Sequence, residues 1–339
     1  MKKREKQSLS DQHIIDCLNN DYGIEVATLT FLSLGADMDA SVYKAQSHDQ
    51  LSYFVKLKHG HHHDIGVTIQ LLLHSAGIQE IISPIATKYG QPIQYVDDFT
   101  LIVYPFIEGQ DGFSQDLTNN QWITLGKVLR QVHELDVPLP IKNLIKRESY
   151  SPKWREAVRT IYAHIDEQSV TDTIALKLLM FMKEHRLVIQ RLVDRADQLC
   201  QKIQEQSPQF VLCHSDIHAG NVLIQEDGAL YIVDWDAPIM APKERDLMFI
   251  GGGVGNVWNN PREEKLFYQG YGKTEINMAI LAYYRHERIV EDIALYSKSL
   301  LVTMGGDSDR AQMYQQFIDM FKPRGVVDIA FEKNNRFFF

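Results

Sequence analysis

The stretch VLCHSDIHAGNVLI, residues 211–224, sets polar residues between two apolar runs. Short runs rich in Val, Ile and Leu predict strands, so Asp216 and Asn221 fall in the loop between two of them. A further strand-like run, LYIVDW at residues 230–235, follows a Glu-Asp-Gly turn and carries Asp234. The hairpin that these runs predict returns Asp234 to the end at which Asn221 stands. Three oxygen-bearing side chains are therefore expected to gather in one place.

These three side chains suit phosphoryl transfer. Mg²⁺ takes few protein oxygens and fills its other positions with phosphate oxygens or waters, a demand that Asn221 and Asp234 meet. Asp216 is then left to accept a proton from a hydroxyl group. The spacing H-x-D-x-x-x-x-N, followed by an Asp on a strand, is that of the catalytic and metal-binding loops of protein kinases. A single loop Asp is more often a turn or cap residue, but the three together favour a phosphotransferase site.

The composition is that of a globular protein large enough for two lobes. The 339 residues include 35 Lys and Arg against 44 Asp and Glu, which gives a net charge of −9. This balance argues against a nucleic-acid partner and favours a cationic small-molecule acceptor. Three scattered cysteines, Cys17, Cys200 and Cys213, indicate free thiols in a reducing compartment.

No part of the sequence predicts a membrane segment. The basic start MKKREK is followed by polar residues where a signal peptide needs an apolar segment. No apolar run reaches the roughly 18 residues of a membrane-spanning helix. We therefore expect a cytoplasmic protein without a membrane partner.

The periodicity of the apolar residues changes along the chain. Residues 24–107 read as mostly antiparallel strands, and helical spacing begins after the capping box Thr118-x-x-Gln121. The first long helix should bury Leu71, Leu72 and Leu73. Helices are predicted at about 64–76, 172–205 and 275–301.

This change predicts an α+β, bilobal fold. A small β-rich N-terminal lobe, residues 1–106, would bind the nucleotide. A large, mostly helical C-terminal lobe, residues 107–339, would carry the catalytic loop and the substrate pocket. The connector between them is predicted near 104–112.

Three motifs resemble those of the aminoglycoside phosphotransferase and choline-kinase-like family, namely His214–Asn221, Ile232–Asp236 and Pro242–Leu247. Four longer stretches are similar to the branch of that family that phosphorylates spectinomycin: YSPKWREAVR (150–159), CHSDIHAGNVLI (213–224), APKERDLMFIGGGVGNVWN (241–259) and YYRHERIVEDIA (283–294). The order of predicted elements agrees with this family over nearly the whole chain.

The resemblance implies a protein-kinase-like fold and phosphorylation of a hydroxyl on an aminocyclitol or aminoglycoside antibiotic, most closely spectinomycin. ATP would be the phosphate donor and Mg²⁺ the cofactor. By the same resemblance, Asp216 would be the catalytic base, and Asn221 and Asp234 would bind the magnesium.

The resemblance also implies a nucleotide site. Lys56 in YFVKLK would be the strand lysine that pairs with the phosphates, with Lys58 as the alternative. Gly35 lies where the phosphate-covering loop is expected. The hinge whose backbone holds adenine would be Tyr104, Pro105, Phe106 and Ile107.

The chain departs from the kinase pattern at several positions. Gly35 is the only glycine of its loop, so that assignment rests on position alone. The helix after Lys56 lacks an obvious glutamate, and Asp64 is the nearest carboxylate, which leaves the partner of Lys56 open. Ser215 replaces an arginine and favours an enzyme that is active without phosphorylation. Asp236 replaces a glycine, which makes it a candidate for contact with the metal or with a substrate ammonium.

Other readings of the sequence stay open at this point. The catalytic set does not specify the acceptor, so a kinase of choline, homoserine or a sugar is the closest alternative. A non-catalytic, nucleotide-binding pseudokinase and a metal-dependent hydrolase are further ones. The histidine run at residues 59–63 reads as a solvated connector rather than a metal site, because adjacent histidines cannot all converge on one ion.

Overall fold

The computed structural model describes residues 9–32, 40–61, 64–166, 171–252, 254–302 and 307–335. By the density of internal contacts the chain divides into two compact units. We call N-terminal unit the described residues up to Asp116 together with Gly220–Pro238. The C-terminal unit consists of Leu117–Ala219 and the described residues from Ile239 onward.

Secondary structure elements are numbered along the chain. The strands are β1 Val26–Leu32, β2 Ala40–Ser47, β3 Ser52–His59, β4 Gln94–Val96, β5 Phe99–Pro105, β6 Gln110–Asp111, β7 Lys146–Arg147, β8 Val211–Cys213, β9 Val222–Ile224, β10 Leu230–Ile232 and β11 Ile239–Ala241. The α-helices are α1 Asp11–Cys17, α2 Ile65–Ser75, α3 Asn119–Glu134, α4 Leu139–Lys142, α5 Lys153–His164, α6 Thr173–Glu184, α7 Arg186–Gln204, α8 Glu244–Leu247, α9 Pro261–Tyr271, α10 Met278–Val302, α11 Asp307–Asp319 and α12 Val326–Asn335. A π-helical segment, Leu18–Tyr22, continues α1, and two 3₁₀ segments lie at Ala219–Asn221 and Val254–Asn256.

A five-stranded antiparallel sheet dominates the N-terminal unit, which confirms the prediction for residues 24–107. Its strand order is β1-β2-β3-β5-β4. Val55 and Leu57 of β3 are completely buried, whereas Lys56 and Lys58 are only partly buried. Because successive side chains of a strand point to opposite faces, the two lysines share the face away from this core.

Helix α2 follows β3 and matches the helix predicted at 64–76. Its N-cap is Asp64, whose Oδ1 accepts a hydrogen bond from the Val67 backbone N–H at 3.2 Å. The predicted burial of three consecutive leucines is wrong for Leu71, which is 37% exposed, and right for Leu73, which is completely buried. Consecutive residues of an α-helix are about 100° apart around its axis, so three in a row cannot share one face.

The predicted hairpin of β9 and β10 forms in the N-terminal unit. Its two strands are antiparallel, and Gly228 in the turn between them has a φ of 90°. Strand β6 pairs with β9, and the Ile232 N–H donates to the Glu80 carbonyl at 2.9 Å. These backbone bonds explain why residues 220–238 belong to the N-terminal unit although they lie far along the chain. The lobe boundary predicted between residues 106 and 107 stays a prediction, since the two compact units divide the chain at other positions.

The C-terminal unit is mostly helical, as predicted. Helix α10 packs against α5, α6, α7, α8, α11 and α12. Fully buried Leu178, Leu192, Val290, Ile293 and Phe317 lie in the core that these helices share. A small sheet of order β7-β11-β8 lies in the same unit, and its strand β8 leads directly into the loop of Asp216.

Helix α3 begins with the predicted capping box, in which Thr118 and Gln121 exchange hydrogen bonds between side chain and backbone. It packs closely on α9 through two glycines. A Cβ at Gly126 would lie 2.1 Å from the Phe267 carbonyl oxygen, and one at Gly270 would lie 1.9 Å from that of Ile123. Only glycine allows the two backbones to approach this far.

The long helix predicted at 172–205 is two helices, α6 and α7, with a break at His185. The His185 ring stacks on Phe181 at 3.9 Å between centroids, and its Nδ1 lies 3.0 Å from the Phe181 carbonyl oxygen. A side chain bonded to the preceding turn in this way favours ending the helix. Among the described residues, no helix is both long and apolar enough to cross a lipid bilayer.

Candidate active site

The loop that carries Asp216 is fixed by its own backbone. Ser215 has a φ of 75°, in the left-handed region that non-glycine residues rarely adopt. His214 is 1% exposed, and its Nδ1 accepts from the Asp216 N–H at 3.3 Å. His214 therefore orders the loop.

Asp246 of α8 holds this loop from inside the C-terminal unit. It is completely buried, and its Oδ2 accepts from the His214 N–H at 2.9 Å while its Oδ1 accepts from the Ser215 N–H at 2.7 Å. His133 Nε2 lies 3.0 Å from the same Oδ2. Burial raises the pKa of Asp246, but the bonds from His133 and the Ser215 backbone outweigh it and lower that pKa. We call these contacts the Asp246 brace.

Two residues of the brace, His133 and Asp246, form a group with Cys213. It is the one group of three His, Cys, Asp or Glu residues in the described ranges whose donor atoms lie within 4.8 Å of one another. All three are buried, and their polar atoms already have hydrogen-bond partners. His133 Nδ1 lies 2.7 Å from the Tyr271 hydroxyl, and Cys213 Sγ lies 3.6 Å from the Ala241 carbonyl oxygen. Hydrogen bonding explains this group without a metal.

Asp216 itself has charged neighbours in the C-terminal unit. Arg288 Nη1 donates to its Oδ1 at 2.6 Å, and His218 Nε2 lies 3.6 Å from its Oδ2. Burial raises the pKa of Asp216, but the hydrogen bond from His218 and the charge of Arg288 outweigh it and hold that pKa well below its usual range. The carboxylate is therefore ionised at neutral pH and can accept a hydrogen bond from a hydroxyl group.

Asn221 and Asp234 lie at the same end of the hairpin in the N-terminal unit. The last strand pair is Val222 with Ile232, and the Val233 N–H donates to the Asn221 carbonyl at 3.0 Å. Asp234 follows at once, with a φ of 63° that turns the chain away from the strand. The register thus brings together the two residues that the sequence pairs as metal ligands.

The two lysines of β3 reach the residues that follow β10. Lys56 Nζ lies 2.5 Å from Asp236 Oδ2 and 3.8 Å from Asp234 Oδ1. Lys58 Nζ lies 3.3 Å from Asp236 Oδ1 and 2.6 Å from Asp64 Oδ2. Asp236 therefore binds both ammonium groups.

These contacts identify partners that the sequence left open. Lys56 pairs with Asp236, and Asp64 pairs with Lys58 while also capping α2. Burial lowers the pKa of Lys58, but the charges of Asp236 and Asp64 outweigh it and raise that pKa. Burial raises the pKa of Asp236, and the charges of Lys56 and Lys58 outweigh that effect and lower it. Lys58 and Asp236 are therefore both charged at neutral pH.

Tight packing against α2 fixes the backbone between Asp234 and Asp236. A Cβ at Gly66 would lie 2.2 Å from the Trp235 carbonyl oxygen, so only glycine fits there. Trp235 is 2% exposed, and its Nε1 donates to the Ile232 carbonyl at 3.2 Å. The residue between the two acidic positions is thus part of the core.

The predicted hinge begins at the end of β5. Tyr104 donates its hydroxyl hydrogen to Gln70 Oε1 of α2 at 2.8 Å. The Phe106 N–H donates to the Ser52 carbonyl at 3.0 Å, and the Lys44 ammonium lies 4.2 Å from the Phe106 ring centre. Gly35 of the predicted phosphate-covering loop lies outside the described residues, as do His62 and His63 of the histidine run.

Sequence reasoning missed two neighbours of the Asp216 loop. Asp246 appeared only as part of a motif, and nothing in the spacing predicted that it would bind the loop backbone. Arg288 also makes an ion pair within its own helix, with Asp292 at 3.0 Å. Its contact with Asp216 joins positions 72 residues apart and leaves no local signal.

Comparisons with known proteins identify the family of the chain. The sequence profile of the phosphotransferase enzyme family APH matches residues 30–266, a range that contains Lys56, Asp216, Asn221 and Asp234. The crystal structure of spectinomycin phosphotransferase APH(9)-Ia in complex with ADP and spectinomycin superposes with a TM-score of 0.90 at 47% identity, covering 97% of this chain and 99% of that chain.

More distant proteins share the fold. The choline kinase LicA from Streptococcus pneumoniae superposes with a TM-score of 0.54 at 16% identity, covering 91% of this chain and 97% of that chain. Protein StrN from Streptomyces griseus is 22% identical over 273 residues, which are 76% of this chain and 77% of that protein. The predicted kinase-like α+β fold is therefore confirmed. The chain belongs to the phosphotransferase enzyme family, and it is a kinase-like enzyme with an alcohol group as acceptor.

Proposed function

We propose that the chain transfers the γ-phosphoryl group of ATP to a hydroxyl of an aminocyclitol, with spectinomycin as the first acceptor to test. The observation that carries the proposal is the position of Lys56 Nζ, 3.8 Å from Asp234 Oδ1, at the hairpin end that also holds Asn221. The structure of the 47% identical relative contains ADP and spectinomycin, which supports the same pair of ligands here.

Lys56 is the residue that we assign to the nucleotide phosphates. Its side chain is 14% exposed, and its present partner Asp236 is 34% exposed. A lysine ammonium on a flexible stem can turn from a carboxylate to a phosphate without loss of an ion pair. Asp236 then keeps Lys58, and its predicted role toward a substrate ammonium stays a prediction.

The adenine ring is assigned to the hinge backbone. The Phe106 N–H is already bonded to Ser52, and backbone groups of a strand alternate in direction. The Pro105 carbonyl and the Ile107 N–H are therefore the hinge groups that we assign to adenine. Tyr104 contributes through its side chain, which ties this segment to α2.

Asn221 and Asp234 fit a magnesium ion by the chemistry of their donors. Both offer oxygen, the ligand that Mg²⁺ prefers, and Asp234 is 51% exposed, so phosphate oxygens and water can complete the shell. When bound, the ion would neutralise charge on the transferred phosphoryl group. The nearby Lys56 adds a further positive charge toward the same phosphates.

Asp216 is assigned as the base for the acceptor hydroxyl. It stands five positions before Asn221 in a loop fixed by the Asp246 brace. A positioned general base contributes about 10²- to 10⁴-fold to the rate. The net charge of −9 also favours a cationic acceptor.

The test is ATP consumption with a panel of acceptors: spectinomycin, other aminoglycosides, choline, homoserine and a sugar. The parent should phosphorylate spectinomycin, and Asp216→Asn should lower kcat by about 10²-fold or more because the base is lost. Asp234→Asn should abolish turnover more completely than Lys58→Ala. Equal activity of these variants and the parent would disprove the residue assignment.

Other outcomes of the panel separate the alternatives. Turnover with choline, homoserine or a sugar in place of spectinomycin would keep the chemistry and change the acceptor. Thermal stabilisation by ATP and Mg²⁺ without any product over long incubation would indicate a pseudokinase. Product formed without nucleotide would indicate a hydrolase.

A further inference from the structure

Arg288 of α10 holds two carboxylates at once. Its Nη1 donates to Asp216 Oδ1 at 2.6 Å, and its Nε donates to Asp292 Oδ1 at 3.0 Å. The side chains of Arg288 and Asp292 are only 19% and 17% exposed. Because a guanidinium is planar and its N–H groups have fixed directions, the two bonds together fix its orientation.

The helix that carries Arg288 is itself anchored. Arg285, one turn earlier, donates to the carbonyl oxygens of Met248 and Ile250 at 3.2 and 2.8 Å. Phe249 lies between these two residues, and its ring centre is 5.8 Å from the Arg288 guanidinium carbon. The arginine therefore extends from a fixed backbone along an aromatic side chain.

The role of Arg288 inferred from these contacts rests on the proposed function. We propose that Arg288 is a positioning residue for phosphoryl transfer: it holds Oδ1 of Asp216 so that Oδ2 receives the hydrogen bond of the acceptor hydroxyl. Asp292 holds Arg288 in the orientation that this requires. The proton of the hydroxyl passes to Oδ2 as the hydroxyl oxygen bonds to the γ-phosphorus of ATP, while the bond from that phosphorus to the bridging oxygen breaks and ADP leaves.

Charged groups around Asp216 support the assignment. The titratable or charged groups that face it are His218 from its own loop and Arg288 from α10, with Asp292 and Glu291 behind the arginine. Burial raises the pKa of Asp292, Arg288 lowers it in part, and Glu291 raises it further. Arg288 is thus the positive charge that α10 brings to Asp216.

Removal of Arg288 should shift the pKa of Asp216 in one direction, upward. A carboxylate whose pKa is held low stays ionised until the pH falls through that low value, so removal of Arg288 raises the pH at which Asp216 protonates. The acid limb of kcat/KM should therefore move to higher pH when the charge is removed. The acid limb should stay at the same pH when a positive charge is kept at position 288.

The experiment compares Arg288→Gln and Arg288→Lys with the parent under saturating ATP and Mg²⁺. We expect Arg288→Gln to lower kcat by about 10²-fold with little change in KM for the acceptor, because the carboxylate loses its orientation. Its acid limb should rise by about one pH unit. Arg288→Lys should leave the acid limb at the same pH and restore part of kcat, since lysine keeps the positive charge but lacks the planar set of N–H donors.

Arg130→Gln is the matched control. Arg130 makes an i,i+4 ion pair on α3, with Glu134, and the two side chains are 34% and 58% exposed. Its removal should change neither kcat nor the pH profile. Thermal unfolding of all three variants shows whether a loss of activity follows from a loss of folded protein.

The outcomes separate the two proposals. A parent that phosphorylates no acceptor would overturn the proposed function and the role of Arg288 with it. An active parent that loses turnover in Asp216→Asn but not in Arg288→Gln would overturn the role of Arg288 alone. A lower KM with unchanged kcat in Arg288→Gln would also overturn it, because the arginine would then compete with a cationic acceptor instead of placing the base.

Discussion

Two acidic residues, one in each compact unit, are held in opposite ways. Asp246 is completely buried and accepts from two backbone N–H groups and from His133. Asp236 is 34% exposed and accepts from the ammonium groups of Lys56 and Lys58. Both have a lowered pKa despite their burial. The lowered pKa comes from a buried histidine and fixed backbone N–H groups at Asp246, and from flexible lysine side chains at Asp236.

The kind of partner indicates the role. Backbone N–H groups cannot leave a carboxylate without a change of fold, so the Asp246 brace is permanent. A lysine on a four-carbon stem can exchange a carboxylate for a ligand phosphate, so the Asp236 pairs can open when a nucleotide arrives. Stability should therefore depend on Asp246, and nucleotide affinity on the lysines.

The largest effect should come from Asp246→Ala. It removes the carboxylate that accepts from two N–H groups of the Asp216 loop, and we expect the free energy of unfolding to fall by about 3 to 5 kcal/mol. Urea unfolding followed by tryptophan fluorescence measures this loss. Asp236→Ala is the control with the same chemical change, and it should lose much less. Equal losses would show that the two carboxylates do not differ in the way the structure indicates.

The two lysines of β3 offer the next test, because they share a strand face and the partner Asp236, whereas Asp64 pairs with Lys58. Lys56→Ala should weaken ATP binding by about tenfold or more, the equivalent of one ion pair to phosphate, with little change in stability. Lys58→Ala should leave Asp64, which is 7% exposed, without its ammonium and lower the free energy of unfolding by about 2 kcal/mol.

Isothermal titration with ATP and Mg²⁺, together with urea unfolding, separates the two effects. Each variant is the control of the other, since both remove one ammonium group from the same strand. If Lys58→Ala lost more affinity for ATP than Lys56→Ala, the phosphate lysine would be Lys58.

These contrasts also show how far the sequence could predict the molecule. Local patterns succeeded where neighbours in sequence determine the structure: the antiparallel sheet, the capping box at Thr118, and the hairpin that brings Asn221 and Asp234 together.

Prediction failed where distant parts of the chain determine the structure. The contact of Arg288 with Asp216 depends on the packing of α10, and the place of residues 220–238 in the N-terminal unit depends on β6 and on Glu80. A helical run of apolar residues likewise does not reveal a break such as that at His185. The sequence pointed to the candidate site residues, but it did not predict the side chains and backbone groups that they contact.

A third buried carboxylate extends the comparison, because it lacks the donors that Asp246 has. Glu287 of α10 is 12% exposed, and Arg155 Nη1 lies 3.4 Å from its Oε2. Neither of its oxygens has a hydrogen-bond partner within the described ranges. Burial, opposed in part by Arg155, raises the pKa of Glu287 to about 7 from an ordinary value of 4.5. Burial thus has opposite outcomes at Asp246 and Glu287, and hydrogen-bond donors make the difference.

The effect of Glu287→Gln should therefore depend on pH. A carboxyl whose pKa is raised on folding contributes stability that is complete below the unfolded value of 4.5 and is lost as the pH rises through about 7. Glutamine cannot ionise, so the free energy of unfolding of the variant relative to the parent should rise between pH 5 and pH 8, by at most about 3 kcal/mol for this shift. Urea unfolding at both pH values measures the difference, in which the other titrating groups cancel. A difference that is the same at both would mean that Glu287 is ionised throughout, and that Arg155 alone supplies what the backbone supplies to Asp246.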